Sequence, residues 1–145
     1  MIGASGEVAV LQGGLDAPNL NDRFQGFEAY LKEKAPGIKI VAREDTKGKK
    51  QIVADKTEAL VQAHPNLKAI FSVSAEGCPG AAPVLKGKNI VLAGFDDDPD
   101  TLAAIREGTV RFCIAQRTYK MGWLAVERLI EACEGKQLQP QEDTG

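Results

Sequence analysis

"NIVLAGF" at residues 89–95, running straight into "DDDPDTLAAIREG" at 96–108, is the stretch on which the fold turns. After Asn89 the apolar run has no polar alternation, the signature of a parallel strand covered on both faces. Its continuation reads as a helix start. Asp98 offers a carboxylate to free backbone N–H groups, Pro99 fits the first helical position, and Gly108 closes the segment. A strand feeding directly into a capped helix leaves Asp96, Asp97 and Asp98 in the connection, at the strand's carboxyl end. In an open parallel sheet that is the edge where ligands bind. Asp98 is therefore read as a cap, Asp97 as loop surface, and Asp96 as a binding residue or, on the plainer reading, a solvated strand end.

The same unit recurs on either side. "EVAVLQ" (7–12) reads as a strand, followed by a Gly-rich turn and a helix over about 21–34 with Phe24, Phe27, Tyr30 and Leu31 on one face. "APG" (35–37) ends that helix. "IKIVAR" (38–43) is the second strand. A second helix over about 49–64 directs Ile52, Ala59, Leu60 and Ala63 inward and stops at "HP". "KAIFSV" (68–73) is the third strand and "PGAAPVLK" (79–86) a short helix. Beyond Gly108, "TVRFCIAQ" (109–116) is the fifth strand. A last helix over about 119–134 turns Gly122, Val126, Leu129, Ile130 and Cys133 inward. Five strand–helix repeats predict one α/β domain over residues 1–145, a parallel sheet with helices on both faces. The tail "QLQPQEDTG" has no apolar period and looks cut short.

Composition excludes several function classes. With 145 residues, 43% hydrophobic and 26% charged, the chain is of globular type and of a length for one well-packed domain. Eighteen basic against twenty acidic side chains, a net charge of −2, do not make a nucleic-acid surface. "KGKK" (47–50) reads as a solvated helix start. No run is long enough to span a membrane, and "MIGASGE" is not a secretory signal. The three cysteines, Cys78, Cys113 and Cys133, lack metal-ligand spacing; Cys113 and Cys133 read as small buried hydrophobes. No metal site and no cofactor are expected.

The strand-end positions are residues 12–23, 74–76, Asp96 and Gln116. They carry hydrogen-bonding groups but no nucleophile with a base. The single histidine, His64, precedes a strand and falls at the opposite end of the sheet. G-x-G-x-x-G and Walker spacings are absent. A phosphoacceptor receiver would need carboxylates after strands one and three and a lysine after strand five. Here those places hold "QGG", "SVSAEG" and Gln116. The groups present suit a polyol: a carboxylate accepts from two hydroxyls, a guanidinium gives two hydrogen bonds, and an amide does one of each.

In this order, "VAVLQGG…NLNDRFQGFEAYL", "AHPNLKAIF", "IVLAGFDDDPDTLAAIREG" and "IAQRTYKMGWLAVERLIEACEGK" resemble the type I periplasmic sugar-binding proteins of bacterial ATP-driven importers. These share their fold with lactose-repressor-type regulators. The resemblance covers nearly the whole chain and implies a doubly wound, Rossmann-like or flavodoxin-like C-terminal lobe, with the N-terminal lobe missing. It implies a non-enzymatic role, binding a monosaccharide or sugar derivative between two lobes for delivery to an importer permease. The alternative is the effector lobe of a regulator. Carried over by position, the ligand residues are Asn19, Asn21, Arg23, Ser74, Asp96 and Gln116; Asn19 and Asn21 serve equally well as caps of the first helix. Where the family often has Asn-Asp after strand three, this chain has Ser74-Ala75, which leaves the sugar's identity open. The parent is expected in the periplasm or at the cell surface, with no nucleic acid bound through this domain and no membrane insertion. The isolated lobe is expected to form a homodimer through an exposed surface around Arg23, residues 77–82 and Asp96.

Overall fold

The alternating pattern folds into one five-stranded sheet. The computed structural model describes residues 5–140. Its strands are β1 (Ser5–Gln12), β2 (Gly37–Asp45), β3 (Leu67–Ser72), β4 (Val91–Phe95) and β5 (Val110–Ile114). Its helices are α1 (Pro18–Lys34), α2 (Lys50–Ala63), α3 (Gly77–Leu85), α4 (Pro99–Arg106) and α5 (Thr118–Cys133). Every strand pair is parallel, in the order β2-β1-β3-β4-β5. The chain winds outward from β1 to β2, then passes back to β3, so the topological switch lies between β1 and β3.

Successive strand residues face opposite sides, and each side has its own apolar layer. Val8 and Ala69 pack with Leu31 and Phe27 of α1. Their neighbours Ala9, Leu11, Ile70 and Leu92 pack with Val53, Leu60, Cys78, Ala81, Leu85 and Ala104 of α2, α3 and α4. Each fully buried side chain of this kind stabilises the fold by about 1.5–3 kcal/mol. Helices α2 and α3 approach closely because Gly80 has no side chain: a Cβ there would lie 2.7 Å from Val53 and 2.8 Å from the Lys50 carbonyl.

The parallel doubly wound architecture is as expected, and several helix faces are not. In α2 the buried stripe is Val53, Thr57 and Leu60, while Ala59 and Ala63 are exposed. In α4 the buried residues are Thr101 and Ala104; Leu102, Ala103 and Arg106 point to solvent. The inward threonines of both helices have their hydroxyls satisfied. Thr57 donates its hydroxyl to Val53 O at 2.7 Å and Thr101 donates to Asp98 Oδ2 at 2.6 Å. A hydroxyl satisfied that way can occupy an inward position at little cost. Tyr30, expected on the apolar face of α1, is 65% exposed. Helix α1 also starts earlier than expected, at Pro18, the first-turn residue proline favours.

The chain falls into two compact units divided between Ile114 and Ala115, so α5 is described by itself. None of its residues is buried: Gly122, Val126, Leu129, Ile130 and Cys133, all expected inside, are exposed. A helical stripe states which face is able to pack; burial needs a surface against it. Cys113, also expected inside, is half-buried.

Candidate functional site

Three connections meet at the carboxyl edge near the switch, and each is held by a different device. Gln12, at the end of β1, is fully buried and fully engaged. Its Nε2 donates to Gly14 O at 3.1 Å and Asn21 Oδ1 at 2.8 Å, while its Oε1 accepts from Arg43 Nε at 2.8 Å. Arg43 also donates to Asn21 Oδ1 at 2.7 Å, and its guanidinium lies 4.0 Å from the centre of the Phe24 ring. Asn21 in turn donates to Leu15 O at 2.9 Å. The Gln12 carbonyl receives both the backbone N–H (2.6 Å) and the hydroxyl (2.9 Å) of buried Thr46, which fastens the β2–α2 connection to β1. Asn21 is thus a strut between β1, β2 and α1, with both acceptor directions of its carbonyl taken. It is not a cap; the cap position of α1 falls on Ala17, which makes no side-chain bond. Asn19 is exposed on the first turn.

At the end of β3, Ser74 is 5% exposed, and its hydroxyl has no hydrogen-bond partner among the described residues. Gly13 closes over it: a Cβ on Gly13 would lie 2.7 Å from Ser74 Cβ, so only glycine lets the β1 connection come this near. Ser74 therefore lies behind the edge. The segment after it is also closed. Gly77, Cys78, Gly80, Ala81 and Ala82 are buried, which corrects the exposed apolar rim expected over residues 77–82 and removes it as a dimer surface. The helix read over 79–86 is present as α3, and its small residues are what let it pack tightly.

Arg23 spans the ends of β3 and β4. Its NH1 donates to Val73 O at 2.8 Å, one residue before Ser74. Its guanidinium carbon lies 4.0 Å from the centre of the Phe95 ring, one residue before Asp96. Asp96 has φ of 67°, a left-handed conformation that L-residues other than glycine seldom adopt. Its N–H donates to Ile114 O at 3.0 Å, so the bend is tied to β5. Backbone strain of this sort collects where a side chain must be aimed. Asp98 caps α4, accepting from Asp100 N (3.1 Å) and Thr101 N (3.2 Å) as well as from the Thr101 hydroxyl. Asp97 is exposed.

The Arg23 guanidinium thus lies at the ends of β3 and β4, and Asp96 directly follows β4: a fork of donors and an acceptor at one edge. Gln116 is exposed and belongs to the second unit. His64 is the C-cap of α2, at the far edge. "KGKK" is exposed as expected; Lys47 pairs with Asp45, and Lys50 reaches Asp100 at 2.8 Å. The hydrogen bond from Lys47 holds the Asp45 carboxyl below its ordinary pKa. Burial pushes the Cys78 thiol up to about 12, helped by Cys113 and Asp98 nearby. Such a thiol stays protonated and inert. Among the described residues no group of three His, Cys, Asp or Glu side chains is placed to hold a metal ion. Sequence reasoning missed Arg43 and Phe95, read there as strand residues. Arg43 could have been found as the charge that closes the strand segment 38–43; Phe95 carried no signal of its own.

The model of the periplasmic binding protein domain matches residues 1–137. The chain belongs to that family. It is 29% identical over 140 residues to the ribose import binding protein of Bacillus subtilis, a match covering 95% of this chain and 45% of that protein. A solute-binding protein of an ABC transporter from Burkholderia graminis, solved with D-arabinose, is 38% identical, with a TM-score of 0.90 over 98% of this chain and 52% of its own. A glucose-galactose binding protein from Geobacillus stearothermophilus is 28% identical, with a TM-score of 0.90 over 98% of this chain and 52% of its own. The chain thus spans about half the length of the relatives it matches. Among the described residues, no helix is long and apolar enough to cross a membrane.

Proposed function

We propose that the chain is the C-terminal lobe of a solute-binding protein, which takes a monosaccharide against the carboxyl edge of its sheet while a second lobe closes from the other side. The observation that carries this is the Arg23 guanidinium held on Val73 O and over the ring of Phe95, the residue before left-handed Asp96. The carboxylate accepts from two vicinal hydroxyls, and Arg23 keeps donors beyond the one spent on Val73 for the ring or hydroxyl oxygens. Asn19 lies at the rim. Asn21 acts from behind, fixing the connections rather than touching sugar, and Ser74 lies covered by Gly13. The role is binding without turnover, since the edge holds no nucleophile with a base. Delivery to an importer permease, and a periplasmic or cell-surface parent, are supported by what the relatives are. Those relatives are import proteins, so the reading follows them rather than the regulators of the same fold.

Half a cleft leaves one face of the sugar in water, so the chain alone should bind more weakly than about millimolar. Amide-resolved NMR titration with D-ribose, D-arabinose and D-galactose tests this. Saturable shifts centred on residues 23 and 96, lost in Asp96→Ala, are expected. Shifts centred elsewhere, or unchanged in that variant, would sink the assignment.

A further inference from the structure

In a sugar site Arg23 has a task for which its own side chain is poorly suited. An arginine carries several free torsions, and a ligand that had to order them would lose affinity in doing so. We propose that Phe95 is the positioning residue of this site, holding the Arg23 guanidinium in a fixed plane beside Asp96; the inference rests on the sugar-site reading.

The geometry has three parts. The guanidinium carbon stands 4.0 Å from the Phe95 ring centre, the separation of a stacked cation–π contact. The single hydrogen bond to Val73 O sets the rotation of the plane about that stack. The ring in turn belongs to an aromatic row. It packs at 6.1 Å from Phe71, whose own ring is stacked on Phe27 at 4.5 Å and 17°. Phe27 lies one turn beyond Arg23 on the same helix, so the row Phe27–Phe71–Phe95–Arg23 runs from α1 across β3 and β4 and back to α1. One residue therefore serves both binding groups: the Phe95 ring supports Arg23, and its backbone leads directly into the left-handed turn that aims Asp96. A stacked plane is a task lysine cannot perform.

The test uses the chain labelled with nitrogen-15. A proton held over an aromatic face is shifted upfield, so the Arg23 Nε–H signal, assigned by its loss in Arg23→Lys, should lie upfield of the other arginines. Phe95→Leu should return it to the ordinary position; Phe95→Tyr should keep it shifted. Phe71→Leu, which removes packing from the same row without touching the guanidinium, should also keep it. In D-arabinose and D-ribose titrations, Phe95→Leu and Arg23→Lys should each weaken binding roughly tenfold, the order of a partly desolvated cation–π contact. Phe95→Tyr and Phe71→Leu should stay close to the wild type. Arg23→Lys leaves the aromatic row intact, so its loss cannot be laid to misfolding. An Arg23 signal unmoved in Phe95→Leu overturns the proposal, as does a Phe71→Leu that weakens sugar as much as Phe95→Leu. A wild-type chain that ignores both sugars while the Arg23 signal behaves as expected overturns the sugar-site reading and upholds the anchoring.

Discussion

Replacing Asp98 by alanine should cost about 2–3 kcal/mol, more than an ordinary helix cap. The carboxylate accepts two backbone N–H groups at the start of α4, from Asp100 and Thr101. Loss of a cap of that kind costs about 1 kcal/mol, within a range of roughly 0.5–2. The second oxygen takes the Thr101 hydroxyl at 2.6 Å, and Thr101 is 0% exposed. Alanine at 98 strands that hydroxyl in the core, which adds about 1–3 kcal/mol. Urea unfolding should show a lower midpoint with an unchanged slope, and melting should fall by about 5–10 °C. The coupling is the sharper readout. Thr101→Val alone removes one bond and leaves the cap. In the double variant the stranded hydroxyl no longer exists, so the two losses should fall short of additivity by about 1 kcal/mol or more. Asp98→Asn keeps an acceptor for the backbone and should lose less than Asp98→Ala. A loss below about 0.5 kcal/mol at constant slope, or strict additivity, would refute the reasoning.

Gly77→Ala should be among the most damaging single changes, at about 3 kcal/mol or more, because its Cβ would lie 1.7 Å from the Ser72 hydroxyl oxygen in a fully buried contact. Ser72→Gly should restore much of the loss, and an unaffected Gly77→Ala midpoint would show the contact to be misplaced. At position 96, glycine should be more stable than alanine by about 1 kcal/mol, since only glycine takes a φ of 67° without strain; both should lose sugar binding, and equal stability would remove strain from the account. Cys78 should resist thiol reagents at pH 8 while exposed Cys133 reacts. Its folded pKa is raised from 9.0 to about 12, so the folded chain holds that proton more tightly than the unfolded one. The stability this represents is complete below pH 9.0 and is lost as pH rises toward 12, and Cys78→Ala should flatten the decline. A pH profile above 9 that is unchanged in Cys78→Ala would count against the burial of this thiol.

What can be read along the chain is whatever leaves a mark within a few residues. The unbroken apolar run before Asp96, the Asp98–Pro99 start and the recurrence of strand and helix were enough for a parallel, doubly wound sheet, and the rule for ligand position then pointed to residues 12–23, 74–76, Asp96 and Gln116. The periods are local, since 2 and 3.6 are set by the backbone itself. Helix faces were less legible. Apolar spacing alone pointed Ala59 and Ala63 inward, where the fold buries Thr57, because a threonine whose hydroxyl is satisfied by a neighbour behaves as an apolar residue. The strand-end residues divided on the same ground. Asn21, Ser74, Arg23 and Asp96 are all polar groups at one edge, and nothing in their spacing distinguishes a strut from a ligand-facing group. That distinction depends on partners far off in sequence: Arg43 and Gln12 occupy Asn21, Gly13 covers Ser74, and the Phe95 ring lies under Arg23. Hydrogen-bond satisfaction and close packing are properties of pairs of residues across strands, and such pairs exist only once the sheet has brought them together.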